Sequence, residues 1–282
     1  MLIGAHVSRY HAAGDARPGI VQHIKEARRS ARAHGIDMRA AQIFVGGPRE
    51  RAITLHPDER AELKAYIATT GMVVVAHSAY AAAPWGGDPG AARYIRAEAQ
   101  VCVEAGIAGL VVHLPKAPLA TVARYARRIH VPGMRIYLET PAVTPAETYY
   151  ETPAKLGALF AALRAQGLAG GFGLCVDSAH LWVSGVDLRS FADADAWLAG
   201  LDAAVGDTPV MVHLNDAAHA RGVGPDAHAA LGHGHIWRDA AAGDSGIAAF
   251  VAFAARRGAP VILERKPLEA LAGDYLLLHD LV

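Results

Sequence analysis

Eight short apolar segments recur along this chain, and each is followed by a stretch with helical periodicity. The segments are Leu2–Val7, Ala40–Val45, Val73–His77, Gly109–Leu114, Arg135–Glu139, Phe172–Asp177, Pro209–Asn215 and Pro260–Glu264. They are rich in Val, Ile and Leu and apolar on both faces, as buried parallel strands are. The intervening periodicity predicts helices over Ile20–His34, Pro57–Thr70, Ala91–Ala105, Leu119–Ile129, Pro153–Gln166, Phe191–Val205, Ile247–Arg257 and Leu268–Leu281. Several stop at a glycine (Gly35, Gly71, Gly106), and one opens with Pro57 in its first turn. Strands alternating with helices form a parallel sheet clothed in helices, and eight such units close into a (β/α)8 TIM barrel. No Pro/Ser-rich linker or composition shift divides the sequence, so one α/β barrel domain is expected over residues 1–282.

Charge and cysteine usage narrow the function classes. Lysine plus arginine and aspartate plus glutamate both number 27, so no global basic field draws in nucleic acid. A DNA-binding role would need local positive charge or bound metal ions. The two cysteines, Cys102 and Cys175, argue against a disulfide framework. No charge-free apolar run reaches the roughly 18 residues that a membrane span needs. The sequence opens directly on a strand-like segment, without a basic leader or signal-peptide core. An intracellular protein with no membrane partner is the expectation. Fifteen histidines are the outlier.

A TIM barrel builds its active site at the C-terminal ends of its strands. The residues there are His6, Gln42, His77, His113, Glu139, Asp177, His213 and Glu264, and the loops just beyond add His180, Asp226 and His228. Asp226 and His228 stand two apart in a polar, Gly-rich loop, where alternation points both side chains to one side. Taken singly, each has a plain structural reading: a hydrogen-bonded rim histidine, an ion-pair partner, or (for Asp177 and His180) a helix cap. Taken together, so many carboxylates and imidazoles at one barrel mouth are costly unless they are paired or bind cations. A metal centre at the strand ends explains nearly all of them. Five histidines, two aspartates and two glutamates are enough for three ions if one carboxylate bridges. Ions held close together stabilise the attacking and leaving oxygens of a displacement at phosphorus. That chemistry is phosphodiester hydrolysis. Gly-x-Ser-x-Gly, a P-loop and a dinucleotide fingerprint are all absent from the sequence.

Three motifs carry a resemblance that runs along nearly the whole chain. They are Gly4-Ala5-His6-Val7-Ser8; Cys175-Val-Asp177-Ser-Ala-His180 with Gly185 and Asp187; and His213-Leu-Asn-Asp216 through Gly222, Asp226-x-His228 and Leu231-Gly232-x-Gly234. In these the chain resembles the endonuclease IV family of apurinic/apyrimidinic endonucleases. The resemblance implies a metal-dependent DNA-repair hydrolase of base excision repair. It implies three divalent ions: zinc, with manganese as an alternative at one position. His77 and His113 would hold one ion, and Glu139 would bridge it to a second. Asp177, His213 and Glu264 would complete the second, and His180, Asp226 and His228 would hold the third. A bridging hydroxide, oriented or activated by Glu264, would cut the phosphodiester 5′ to an abasic site in duplex DNA and leave a 3′-hydroxyl. The same chemistry would serve a 3′-phosphodiesterase activity. Arg49 and Tyr80 are expected as wedge residues in the DNA, and Lys116 and Arg221 as phosphate contacts. A monomer is expected.

The sequence departs from the family pattern at His113-Leu114-Pro115, Glu139-Thr140-Pro141, Ala227, His233 and Arg265-Lys266. All nine ligand positions are kept, so the departures bear on substrate and rate. Two other readings compete. A sugar isomerase or epimerase on a related barrel would use Glu139, Asp177, His213 and Glu264 and bind one or two ions. A non-cutting relative would bind metal or DNA alone.

Overall fold

The computed structural model describes residues 1–8, 19–145, 149–238 and 242–282. Its strands are β1 (Leu2–His6), β2 (Ala40–Phe44), β3 (Val73–His77), β4 (Gly109–His113), β5 (Ile136–Glu139), β6 (Phe172–Asp177), β7 (Val210–His213), the two-residue β8 (Asp216–Ala217) and β9 (His228–Ala229), and β10 (Pro260–Leu263). β1 to β7 and β10 form a closed barrel of eight strands in chain order, with β10 pairing back onto β1. Every barrel pairing is parallel. Between the strands lie α1 (Ile20–Ala33), α2 (Pro57–Thr70), α3 (Pro89–Ala105), α4 (Leu119–Ile129), α5 (Pro153–Ala165), α6 (Ser178–Val183), α7 (Phe191–Val205), α8 (Gly246–Arg257) and α9 (Ala272–His279). Among the described residues, no helix is long and apolar enough to cross a membrane.

The eight expected strands all form, within a residue or two of their predicted ends. β7 stops at His213, where the chain begins to leave the barrel, although the Leu214 amide still donates to Ile262 O at 2.9 Å. The helices differ in three places. α3 begins at Pro89 rather than Ala91, because the Asp88 side chain caps it by accepting from the Gly90 amide. The expected terminal helix over 268–281 is split into a 3-10 turn, Leu268–Leu271, and α9. Arg265 donates to the Ala270 carbonyl at 2.7 Å and holds that tighter turn. α6 is an addition to the expected set; at six residues it is too short for periodicity to reveal.

Two layers organise the barrel. The larger core packs the helices against the outside of the strands. A smaller cluster fills the barrel itself: Ala40, Val75, Val111, Tyr137, Cys175, Met211 and Ile262. Tyr137 needs the room that glycine leaves, since a Cβ on Gly109 or Gly173 would lie within 2.5 or 2.7 Å of its ring. Side chains two residues apart on a strand share a face. Two residues beyond these interior positions stand Gln42, His77, His113, Glu139, Asp177, His213 and Glu264. The interior layer is therefore the floor of the site, and strand alternation aims the polar layer inward above it.

Candidate metal centre

Parallel register sets neighbours side by side at the barrel mouth. His6 is level with Gln42, His113 with Glu139, and Asp177 with His213. Glu139, Asp177 and His213 are almost wholly buried there. The Glu139 carboxylate is the hub. Its Oε2 lies 3.1 Å from His77 Nε2 and 2.9 Å from His113 Nε2, and its Oε1 lies 2.7 Å from His213 Nδ1. His213 Nδ1 also faces Glu264 Oε2 at 3.2 Å and Asp177 Oδ2 at 3.7 Å.

The loop after β6 supplies the second half of the cluster. Asp177 does two jobs: Oδ1 caps α6 by accepting from the His180 amide at 2.9 Å, and Oδ2 accepts from Asn215 Nδ2 at 2.8 Å. The cap is therefore formed, and Asp177 also lies within reach of the ligand atoms around it. α6 turns His180 back over the barrel, with its Nε2 3.2 Å from Asp226 Oδ2. Antiparallel pairing of β8 with β9 folds the long loop back on itself, and His228 Nε2 lies 3.4 Å from Asp226 Oδ1. That loop is tied down by Asp216, whose carboxylate accepts from the amides of Gly232, Gly234 and Ile236 at 3.0–3.1 Å. A Cβ on Gly234 would sit 2.3 Å from Asp216 Oδ1, so glycine is required by close approach.

Four overlapping groups present ligand atoms within 4.8 Å of one another: His77, His113 and Glu139; Glu139, Asp177, His213 and Glu264; Asp177, His180 and His228; and Glu139, Cys175 and His213. The first two match the expected sets. The third holds Asp177 where Asp226 was expected, with Asp226 beside both of its histidines. Burial pushes the Cys175 thiol up, so it stays protonated. His6, a strand-end imidazole, belongs to none of these groups. Burial, aided by Lys266, brings its pKa down to about 3.

The donor set fits divalent cations. His77 Nδ1 faces the Ser78 carbonyl and His180 Nδ1 faces the Thr140 carbonyl, each at 2.7 Å. A carbonyl only accepts, so the proton sits on Nδ1 and each Nε2 turns a lone pair toward carboxylate oxygen. This is how metal-binding histidines are oriented. Lone pairs facing carboxylates repel unless positive charge lies between them. The same potential acts on protons. Burial opposes charge on His180, but Asp177 and Asp226 outweigh it and raise its pKa. Burial opposes charge on His213 as well, but the facing Glu264 and Glu139 carboxylates raise its pKa. Burial would raise Glu139, yet His113 and His213 hold it well below the ordinary carboxylate range. Glu264 is likewise brought down to about 2 against its burial, chiefly by His213.

The centre opens into a cavity of about 540 Å³ lined by seven of the nine candidate ligands, all but the fully buried Asp177 and His213, together with His6, Tyr80, Ala227, Arg265 and Lys266. Tyr80 stands at its mouth, 59 % exposed, with its ring 5.3 Å from His77 and 5.5 Å from His113. Its amide donates to the Pro48 carbonyl at 2.9 Å, which joins its loop to the exposed Arg49. Arg51 reinforces the junction through the Ala81 carbonyl and Asp88. Lys116 is exposed on the rim of a neighbouring cavity of about 480 Å³. Arg221 is paired with Asp187 at 2.6 Å and lies over the Trp182 ring. Sequence reasoning gives Asn215 no role, although it stands two residues after His213 and alternation carries it to the same side. It gives Gln42 none beyond its place at a strand end; only the closed barrel shows what that amide touches.

Fold and side chains define an α/β barrel whose mouth is an acid-and-imidazole centre suited to divalent cations. A family model described as "Xylose isomerase-like TIM barrel" matches residues 29–243. A probable AP endonuclease of African swine fever virus (isolate Tick/South Africa/Pretoriuskop Pr4/1996) is 37 % identical over 238 residues, covering 82 % of this chain and 80 % of the relative. A crystal structure described as AsfvAP:AG superposes with a TM-score of 0.93 at 33 % identity, covering 99 % of this chain and 98 % of that one. Endonuclease IV from Thermus thermophilus shares the fold, with a TM-score of 0.75 at 24 % identity and coverage of 99 % and 98 %. The chain belongs to the xylose isomerase-like TIM barrel family and groups there with probable AP endonucleases.

Proposed function

We propose that this protein is a DNA-repair endonuclease that hydrolyses the phosphodiester 5′ to an abasic site in duplex DNA and leaves a 3′-hydroxyl. The observation that carries the reading is the set of overlapping ligand groups, sharing Glu139 and Asp177, most of whose members line one open cavity. Its setting supports the choice of substrate: a chain 37 % identical to a probable AP endonuclease, with an exposed tyrosine at the cavity mouth.

Three divalent ions, zinc by default for so many imidazoles, would be held by these residues. His77, His113 and Glu139 form one site. Glu139, Asp177, His213 and Glu264 form the second. His180, His228 and Asp226 form the third, with Asp177 between it and the second. Bound ions there supply Lewis acidity and bring the pKa of water toward neutrality. The protein's residues do the rest. Glu264 is oriented by two amides, Gln42 at 2.7 Å and Asn215 at 3.0 Å, and held ionised as a proton acceptor. Tyr80 and Arg49 project from joined loops and occupy the gap in the duplex. Extrusion of the sugar costs least where a base is already missing, which favours abasic DNA. Lys116 and Arg221 contact phosphates, Arg221 by exchanging Asp187 for the backbone. The same centre acts on 3′-blocking phosphodiesters, and the protein works as a monomer of one domain.

The test is incision of a duplex oligonucleotide carrying one abasic-site analogue, with an intact duplex as control. A single cut on the 5′ side, confined to the abasic duplex, is expected. No cut by protein shown to carry its metals would overturn the reading. The competing reading, a sugar epimerase, has the Glu139–Asp177–His213–Glu264 group in its favour. It predicts one or two ions per chain by elemental analysis, and turnover of ketoses in place of DNA.

A further inference from the structure

Gln42 is fully buried on β2, and its amide reaches site residues from three other strands. Oε1 lies 2.7 Å from His213 Nε2. Nε2 donates to Glu264 Oε1 at 2.7 Å and lies 3.0 Å from His6 Nδ1. The orientation of the amide follows from chemistry. Flipping it would set the amide oxygen against a carboxylate oxygen at 2.7 Å, with no proton between them. Glu264 therefore fixes the NH2 end, and the oxygen end faces His213. An amide oxygen only accepts, so the His213 proton is on Nε2. Nδ1, the nitrogen facing Glu139, Asp177 and Glu264, is then the one that can give its lone pair to a cation in exchange for a proton. His6 closes the set: an NH2 group only donates, so His6 Nδ1 accepts its second N–H.

We propose that Gln42 is a positioning residue of the metal centre: one amide selects the ring nitrogen that His213 offers to a cation and holds the Glu264 carboxylate beside it. This rests on reading His213 and Glu264 as metal ligands. Few other side chains serve, because the position needs one acceptor and two donors on a planar group. Asn215 holds the other carboxylate oxygen of Glu264 and so completes the grip from the end of β7.

Two variants test it. Gln42→Met keeps size and apolar packing and removes all three contacts. Gln42→Glu keeps the acceptor for His213 and removes both donors. Each is loaded with cobalt(II), and chelator competition and the visible absorption spectrum are recorded. We expect Gln42→Met to hold metal roughly 10–100-fold more weakly, as losses of outer-shell partners do, with an altered cobalt spectrum. On abasic duplex, kcat falls while KM is unchanged, since a fully buried residue cannot touch DNA. Native metal retention and an unchanged spectrum in a folded Gln42→Met protein would overturn the proposal. If that variant does not fold, the same two readouts on Gln42→Glu decide. Neither readout involves DNA: native protein that binds cobalt but leaves abasic duplex uncut refutes the proposed function alone, and native protein that binds no cobalt refutes the ligand reading.

Discussion

Replacing Glu264 by glutamine tests the centre most sharply, because both carboxylate oxygens face N–H donors. Oε1 accepts from Gln42 Nε2 at 2.7 Å, and Oε2 accepts from Asn215 Nδ2 at 3.0 Å. A glutamine has one oxygen for these two positions. Its NH2 group meets another NH2 group whichever way it turns, and the unsatisfied contact costs about 1–3 kcal/mol. Folding tolerates a loss of that size, since domains are stable by roughly 5–15 kcal/mol. Activity does not. The substitution removes the negative charge facing His213 and the proton acceptor together, and acid–base groups contribute about 10²–10⁴-fold to rate. The expected variant is folded, has lost a modest part of its stability in urea, and cuts abasic duplex at least about a hundredfold more slowly at saturating DNA. Single-turnover incision, with protein of matched metal content, is the assay. Cutting within about tenfold of the native rate would refute the role given to Glu264, since that is below the range for an acid–base group.

Three further outcomes follow from the geometry. Tyr80→Ala removes an exposed ring at the cavity mouth but no ligand atom. Aromatic stacking is worth about 1–3 kcal/mol per base, so Kd for abasic duplex should rise roughly 5–150-fold with metal content unchanged. Gly234→Ala drives a Cβ to 2.3 Å from Asp216 Oδ1 and 2.6 Å from the Ala217 carbonyl. A cost of about 1–3 kcal/mol is expected in urea unfolding, together with weaker metal retention as the loop bearing His228 shifts. Glu98, buried on α3, accepts from the Ser78 hydroxyl and the Ala79 amide, and burial raises its pKa from 4.5 to about 7. A carboxyl raised on folding stabilises fully below its unfolded pKa and loses that contribution as pH rises through the folded value. Relative to Glu98→Gln, the native protein should therefore lose about 3 kcal/mol of unfolding free energy as pH rises from 4.5 to just above 7. Parallel stability–pH curves for the two proteins would contradict this.

The barrel was legible because its strands are apolar on both faces, a pattern that arises where helices cover one face and a packed interior the other. Period-2 alternation then carried the site: an inward residue such as Val75, Val111 or Met211 guarantees that His77, His113 or His213 also points inward. The setting of the residues proposed to contact DNA was less legible. Arg221 turns out to be held by Asp187, a contact between loops 34 residues apart that no local pattern encodes. α6 escaped because a six-residue helix has too few turns to show a period.

By itself, then, the sequence determined the strand and helix alternation and the inward aim of its acids and imidazoles, since both follow from local periodicity. Only the tertiary structure decided which of them meet. Barrel closure sets β10 against β1 and β7, and so puts Glu264 within reach of His213, Gln42 and Asn215. Pairing of β8 with β9 brings Asp226 and His228 back over His180. Those contacts join residues far apart in the chain, and their distances are set by how eight strands close on one another.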